Sequence, residues 1–274
     1  MEVVSGLGLF QDPFGVRVVV RLDTDVLMAG FNLTNTALLD MGAATQLDMG
    51  AASRAIMLAL ILCAPDAGAT EWVPVAQEPR HRPVFENDQA IILEVNLPPG
   101  YVSLYHEHRI DLLYVTITGT QVWAQPLGGE RMDADVVTGD LRFSSDNHDL
   151  PHIHQVGNVG SQPFHVIGIG RKDAAHHEAD AIAIEGDTKG LTLDQQKIHA
   201  SVYRIRLAPG EKTGVHRHNL PHTHVFLTDG ILSDGSAGSA AVSAGQFLWQ
   251  PGGMSHFYEN KGDQPLEIIE MQWR

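Results

Sequence analysis

Short apolar runs rich in β-branched and aromatic residues recur along the chain at residues 91–95 (IILEV), 113–117 (LYVTI), 201–205 (SVYRI) and 267–271 (EIIEM). Pro-Gly, Gly-Gly and Asp-Gly pairs punctuate them at a spacing of roughly 8–12 residues, as expected for short strands of a sandwich or barrel. Helical periodicity is weak across residues 80–172 and 190–274, and only the charged, Ala-rich stretch 171–190 between them reads as a short helix. The pattern predicts an all-β protein of two similar barrels.

The two barrels follow from an internal repeat. Gly100 is followed after five residues by His106-Glu107-His108, and Gly210 after five by His216-Arg217-His218. A third histidine comes later in each half, His154 four residues before Asn158 and His256 four residues before Asn260. The offset between copies is 110 residues through the first pair of histidines and 102 from the third onward. The flanks keep the same register, with Gln162-Pro163-Phe164 falling on Gln264-Pro265-Leu266. Two copies of one unit of about a hundred residues is the economical reading. It places a first barrel at 70–172, a linker at 173–189 and a second barrel at 190–274.

Strand geometry explains why histidines take this spacing. Side chains at i and i+2 point to one side, so His106 and His108 can both face a barrel interior, as can His216 and His218. A third imidazole from a strand distant in sequence closes a triangle around a divalent metal at about 2.0–2.2 Å. The bland alternative is a set of core histidines, satisfied by hydrogen bonds, in barrels that have lost their metal. Clustered imidazoles would repel one another once protonated near pH ~6.5, which makes an empty cluster unfavourable to retain.

The same residues resemble the cupin pattern, G-x5-H-x-H-x3,4-E-x6-G followed by G-x5-P-x-G-x2-H-x3-N. The second unit matches the latter part in full, from Gly245 through Pro251, Gly253 and His256 to Asn260. The first has Gly139, Pro151, His154 and Asn158, with an insertion between Gly139 and Pro151. The resemblance covers residues from about 80 to 274. It implies a bicupin, two tandem cupin-type double-stranded β-helix (jelly-roll) barrels with one metal site each. The expected ligands are His106, His108 and His154 in the first and His216, His218 and His256 in the second.

One departure changes the chemistry. Counting back from Gly119 and Gly230, the position of the usual glutamate ligand holds Leu112 in the first unit and Thr223 in the second. Three neutral imidazoles leave the full charge of a divalent metal, which favours an anionic ligand in the open positions. His222 is a candidate substitute, although alternation from Thr223 points both His222 and His224 away from the metal. Asp111, beside Leu112, is a weaker one whose bland role is a loop carboxylate. His152 shares the parity of His154 and is expected to line the first cavity, with His148 at its mouth. His81, His176, His177 and His199 read as surface or linker histidines.

The N-terminal stretch bears on location. Residues 55–64 form a ten-residue apolar run after Arg54, followed by Ala67-Gly68-Ala69, an A-x-A cleavage pattern. The run is too short to span a bilayer and reads as a secretory signal peptide ending at Ala69, with periplasmic or secreted localisation. Because a signal peptide starts a chain, Met49 or Met41 is the expected initiator, and residues 1–69 are expected to be absent from the mature protein. The single cysteine, Cys63, would leave with them.

The formal net charge is −15; without residues 1–69 the balance is 26 acidic against 15 basic residues, or −11. That argues against nucleic acid or an anionic membrane surface as partner, and no membrane insertion is expected after signal cleavage. Two functional classes remain. The first is a mononuclear, dioxygenase-like metalloenzyme acting on a small anionic organic substrate, with Fe(II) favoured over Mn, Ni or Zn. The second is a non-catalytic metal or small-ligand binding protein of the cell envelope, since the fold alone does not choose. No residue announces itself in the sequence as acid or base, and the oligomeric state is left open.

Overall fold

In a computed structural model, the structure describes residues 7–11, 17–21 and 71–274, apart from 146, 148, 173–183, 198–199, 236–237 and 274. The expected signal peptide, its cleavage point and the candidate start residues lie outside the described residues, as do His148, His176, His177 and His199. The chain divides into two units, Met1–Glu71 and Trp72–Arg274. In the first, Leu7–Gln11 pairs antiparallel with Arg17–Arg21. Among the described residues no helix is long and apolar enough to cross a membrane.

The second unit is built almost entirely of strands and contains both repeats. In the first, a five-stranded sheet runs in the order Leu141–Ser144, Leu112–Thr118, Phe164–Arg171, Ala90–Leu97, His81–Glu86. Its counterpart in the second runs Phe247–Gln250, His222–Phe226, Leu266–Trp273, Ala200–Leu207, Leu191–Lys197, the same order copy for copy. Facing the first of these is a sheet ordered Val73–Pro74, His106–His108, His152–Asn158, Gln121–Pro126, Met132–Asp135. The second copy of that sheet is split. One part is Ile184–Gly186, His216–His218 and Ser255–His256; the other is Ala240–Val242, Gly230–Ser233 and Glu259–Asn260. Ile184–Gly186 lies within the stretch expected to be linker but hydrogen-bonds to His216–His218, so the described end of that stretch is barrel strand.

The two five-stranded sheets share one core. Ile92, Leu113, Val115, Ile117, Ile167 and Ile169 of the first repeat pack in a single cluster with Ala200, Val202, Val225, Leu227, Ile269 and Met271 of the second. Every one is 6 % exposed or less, and burying a side chain of this size contributes about 1.5–3 kcal/mol. Strand alternation then turns the intervening residues the other way. Leu266 and Ile268 join Phe226, Tyr258, Ile205 and Leu207 in a second cluster inside the second barrel. Both faces of these sheets are therefore buried.

The glycines and asparagines of the repeat turn out to be a structural clamp. Gly100 and Gly210 stand at φ +78° and +76°, where a Cβ would meet nothing within 4 Å, so conformation and not space requires glycine. Their amides donate to the carbonyls of Asn158 and Asn260. The Asn260 side chain donates to the carbonyls of Leu207 (3.0 Å) and Gln264 (2.7 Å) and accepts from the Gly262 amide (2.9 Å). Asn158 repeats this with Leu97, Gln162 and Gly160. Asn260 is fully buried, and its loss would leave two carbonyls and an amide without that partner. The expected cost of Asn260→Ala is about 2–4 kcal/mol, read as a lower urea midpoint at unchanged slope; a midpoint equal to that of the parent would contradict the clamp.

Candidate metal centre

In the first barrel the register sets His106 opposite His154 and His108 opposite His152 on paired strands. His106, His108 and His154 are 0 %, 1 % and 9 % exposed, and their ring centroids lie 4.6–5.1 Å apart. One ring nitrogen from each falls within 4.8 Å of the others. His106 donates its Nδ1 proton to the Leu104 carbonyl at 2.8 Å, leaving Nε2 buried without a hydrogen-bond partner. The Nε2 atoms of His108 and His154 face each other at 3.2 Å. Two lone pairs cannot share that space without a proton or a cation between them. The separation is also what neighbouring ligands at about 2.0–2.1 Å from one ion adopt.

Burial dominates the electrostatics of this cluster. Desolvation, with His81 as the next cause, lowers the pKa of His106 to about 3, and desolvation and neighbouring imidazoles hold His108 and His154 well below the usual histidine value. The rings are therefore neutral donors at ordinary pH, the form a metal requires. The ring of His152, which is half-buried, has its centroid 4.6 Å from that of His154.

His81 belongs to this centre and is not a surface histidine. It is 3 % exposed, its ring centroid lies 4.2 Å from that of His106, and Nδ1 meets the Glu78 carboxylate at 2.6 Å. Burial alone would raise the pKa of Glu78, but bonds from His81, the Arg80 amide and the Tyr101 hydroxyl bring it down to about 2. The segment entering the barrel carries this pair inward, outside the repeat on which the sequence reading relied. Asp111 accepts from the Asn147 amide at 3.1 Å, a loop role.

The second barrel is richer. His216, His218 and His256 are 1 %, 0 % and 6 % exposed and converge on a residue the motif did not contain, Glu270, which is fully buried. Its Oε1 lies 2.6 Å from His218 Nε2, while Oε2 lies 2.9, 3.4 and 3.5 Å from the Nε2 atoms of His224, His256 and His216. Burial pushes the carboxyl up, yet hydrogen bonds from these imidazoles outweigh it and hold the group well below the usual range. Burial lowers His216 too, but Glu270 more than offsets this and raises it. His218 turns Nδ1 to the Gln272 amide oxygen at 3.0 Å and His216 turns Nδ1 to the Gly214 carbonyl at 3.1 Å. Such outer contacts orient both rings with Nε2 toward Glu270.

His222 and His224 also point inward, contrary to the parity drawn from Thr223. Thr223 sits on the face between the barrels, beside Ala90, Arg171, Trp249 and Trp273. Its neighbours on the strand must then enter the barrel: the His222 ring stacks on His218 at 4.1 Å, and His224 Nε2 lies 2.7 Å from the Tyr258 hydroxyl. Desolvation, then His224 and His218, lower His222 to about 2. The miscount lay in spacing the glutamate position from Gly230 instead of from His218, which three residues separate from His222.

Glu270 was readable as a carboxylate between Ile269 and Met271, but the run registered only as a strand. Its counterpart in the first barrel is Gly168, paired with Tyr114 as Glu270 is paired with His224; Gly170 pairs with Leu112 as Gln272 pairs with His222. Four interior positions thus hold Leu, Tyr, Gly and Gly in one barrel and His, His, Glu and Gln in the other. A Cβ at Gly170 would come within 3.1 Å of Leu112, so the first barrel fills with side chain the space its partner gives to polar groups.

No family model matches the sequence, and no curated protein sequence matches it. Similarity appears in solved structures. AerE from Microcystis aeruginosa superposes with a TM-score of 0.52 at 12 % identity, covering 72 % of this chain and 98 % of that one. A cupin 2 conserved barrel domain protein from Leptotrichia buccalis gives 0.45 at 12 % identity, over 70 % and 87 % of the two chains. A variant oxalate decarboxylase from Bacillus subtilis gives 0.47 at 15 % identity, over 68 % and 69 %. The fold is all-β with two tandem jelly-roll barrels, the architecture that the resemblance of the repeated motif to the cupin pattern implied.

The pKa shifts predict how chelator-treated protein responds to acid. His106, His108, His154, His222 and His224 all have lowered values in the folded state. The unfolded chain, titrating near about 6.5, therefore binds more protons in acid. This stability is present above that pH and is lost as pH falls toward the folded values, while the raised His216 works in the opposite sense. Melting temperature should drop between pH 7 and 4, each kcal/mol lost lowering it by about 2–4 °C. A flat profile, or a rise toward acid, would contradict the buried neutral clusters.

Proposed function

We propose that this bicupin is an exported metalloenzyme whose barrels each bind divalent metal, and that the first barrel is its reaction site, acting on a small anionic organic substrate. The observation that carries the reading is the His106, His108 and His154 triangle, three neutral donors with inward nitrogens and no carboxylate among them. A divalent ion held there keeps its full charge and would act as Lewis acid or redox centre for a bound anion. Fe(II) suits an imidazole set with open positions, with Mn, Ni or Zn as alternatives. His81, fixed by Glu78, is the polar group beside the triangle that can orient a substrate. Export accounts for the apolar run and A-x-A pattern before Thr70, and the acidic balance of the chain speaks against nucleic acid as partner.

The test combines composition with turnover. Protein expressed in a Gram-negative host should be recovered from the periplasm with Thr70 at or near its N-terminus. It should carry at least one divalent metal per barrel and consume O2 with some member of a panel of carboxylates, thiols and enols. His106→Ala should remove the first-barrel metal and at least 90 % of the uptake. Bound metal with no uptake on any substrate would point instead to a non-catalytic binding protein; less than half a metal per chain after reconstitution would overturn the metal reading itself.

A further inference from the structure

The second barrel contains more donors than one ion uses. Five imidazoles and one carboxylate are buried together, and their donor atoms fall into two sets, each within 4.8 Å. One is His216, His218, His256 and Glu270; the other is His222, His224 and His256. At metal–nitrogen distances of about 2.0–2.2 Å, two donors on one ion stand no more than about 4.4 Å apart. A single ion would leave one set unfilled.

His222 is prepared in the same way as the ligands of the repeat. His106, His216 and His222 each turn Nδ1 to the carbonyl two residues upstream, that of Leu104, Gly214 and Leu220, at 2.8, 3.1 and 3.2 Å. His106 and His222 thereby aim a buried Nε2 inward with no hydrogen-bond partner, and His216 aims its Nε2 toward Glu270 Oε2 at 3.5 Å. A histidine kept for packing would be expected to satisfy both nitrogens. In the first barrel this position is Leu112, so the device is peculiar to the second. Glu270 faces both sets, with Oε1 toward His218 at 2.6 Å and Oε2 toward His224 at 2.9 Å, His256 at 3.4 Å and His216 at 3.5 Å.

We propose that the second barrel holds two divalent ions bridged by the Glu270 carboxylate, with His216 and His218 on one ion, His222 and His224 on the other, and His256 completing one of them. Two dications against one carboxylate leave excess positive charge, which a small anion such as hydroxide would offset. The proposal rests on the reading that the barrels bind metal and exceeds it by one ion.

The test uses Co(II) alone, added to the chelator-treated full chain and to its His106→Ala/His154→Ala variant, with elemental counting after desalting and EPR. Three Co(II) per parent chain and two per variant chain are expected, the pair in the variant showing spin coupling between neighbouring ions. One uncoupled Co(II) in the variant would overturn the two-ion centre and leave one ion per barrel standing; none would overturn both. His222→Ala in the parent should lower the count from three to two and abolish the coupled signal, and an unchanged count of three would contradict the assignment. If a variant does not fold, the parent decides alone: three ions with a coupled pair support the centre, two uncoupled ions exclude it.

Discussion

A strand buried on both faces has to divide its side chains between two environments, and the central strands of both five-stranded sheets are in that position. One face enters the core shared by the two barrels, where Val225, Ile269 and Met271 meet Leu113, Val115 and Ile169. The other enters a barrel, where the same strands present His222, His224, Glu270 and Gln272. Register fixes the division. A slip of one residue would exchange His222, His224, Glu270 and Gln272 for a largely apolar set and send four polar side chains into the inter-barrel core, a cost that specifies the register strongly. The shared core thus orients the second histidine cluster from the opposite face of the same strands.

The two barrels have kept one frame and diverged inside it. The Gly and Asn clamps that join each motif's ends are matched bond for bond. Around the second cluster, four interior positions on two adjacent strands change from Leu, Tyr, Gly and Gly in the first barrel to His, His, Glu and Gln in the second. The consequence is electrostatic. An ion among His106, His108 and His154 meets only neutral donors, whereas one beside Glu270 meets a buried carboxylate that offsets part of its charge. An ion in the first environment would keep its full charge, whereas one in the second would have part of it offset.

Much of this was legible in the sequence because duplication repeats a signal. Two Gly-x5-His-x-His motifs in register identified six histidines that the structure groups three by three, and turn spacing gave the all-β class. What escaped had no repeat to announce it. Glu270 stands opposite a glycine in the other copy, His81 lies on the segment leading into the first barrel, and Ile184–Gly186 adds a short strand with one apolar residue. The inward turn of His222 and His224 was misjudged because parity was counted from Thr223, and alternation carries no sign until one residue's face is known. That face is set by Thr223 lying against Trp249 and Trp273, a contact between strands distant in sequence.

The central claim is that histidine clusters in both barrels exist to hold metal. Crystals of the isolated protein, with diffraction recorded on both sides of the absorption edge of the metal it carries, test this most directly. The account predicts an anomalous peak within ligand distance of His106, His108 and His154 and further anomalous density beside Glu270. Well-ordered imidazoles in both barrels, hydrogen-bonded only to one another and to water with no anomalous density between them, would contradict it.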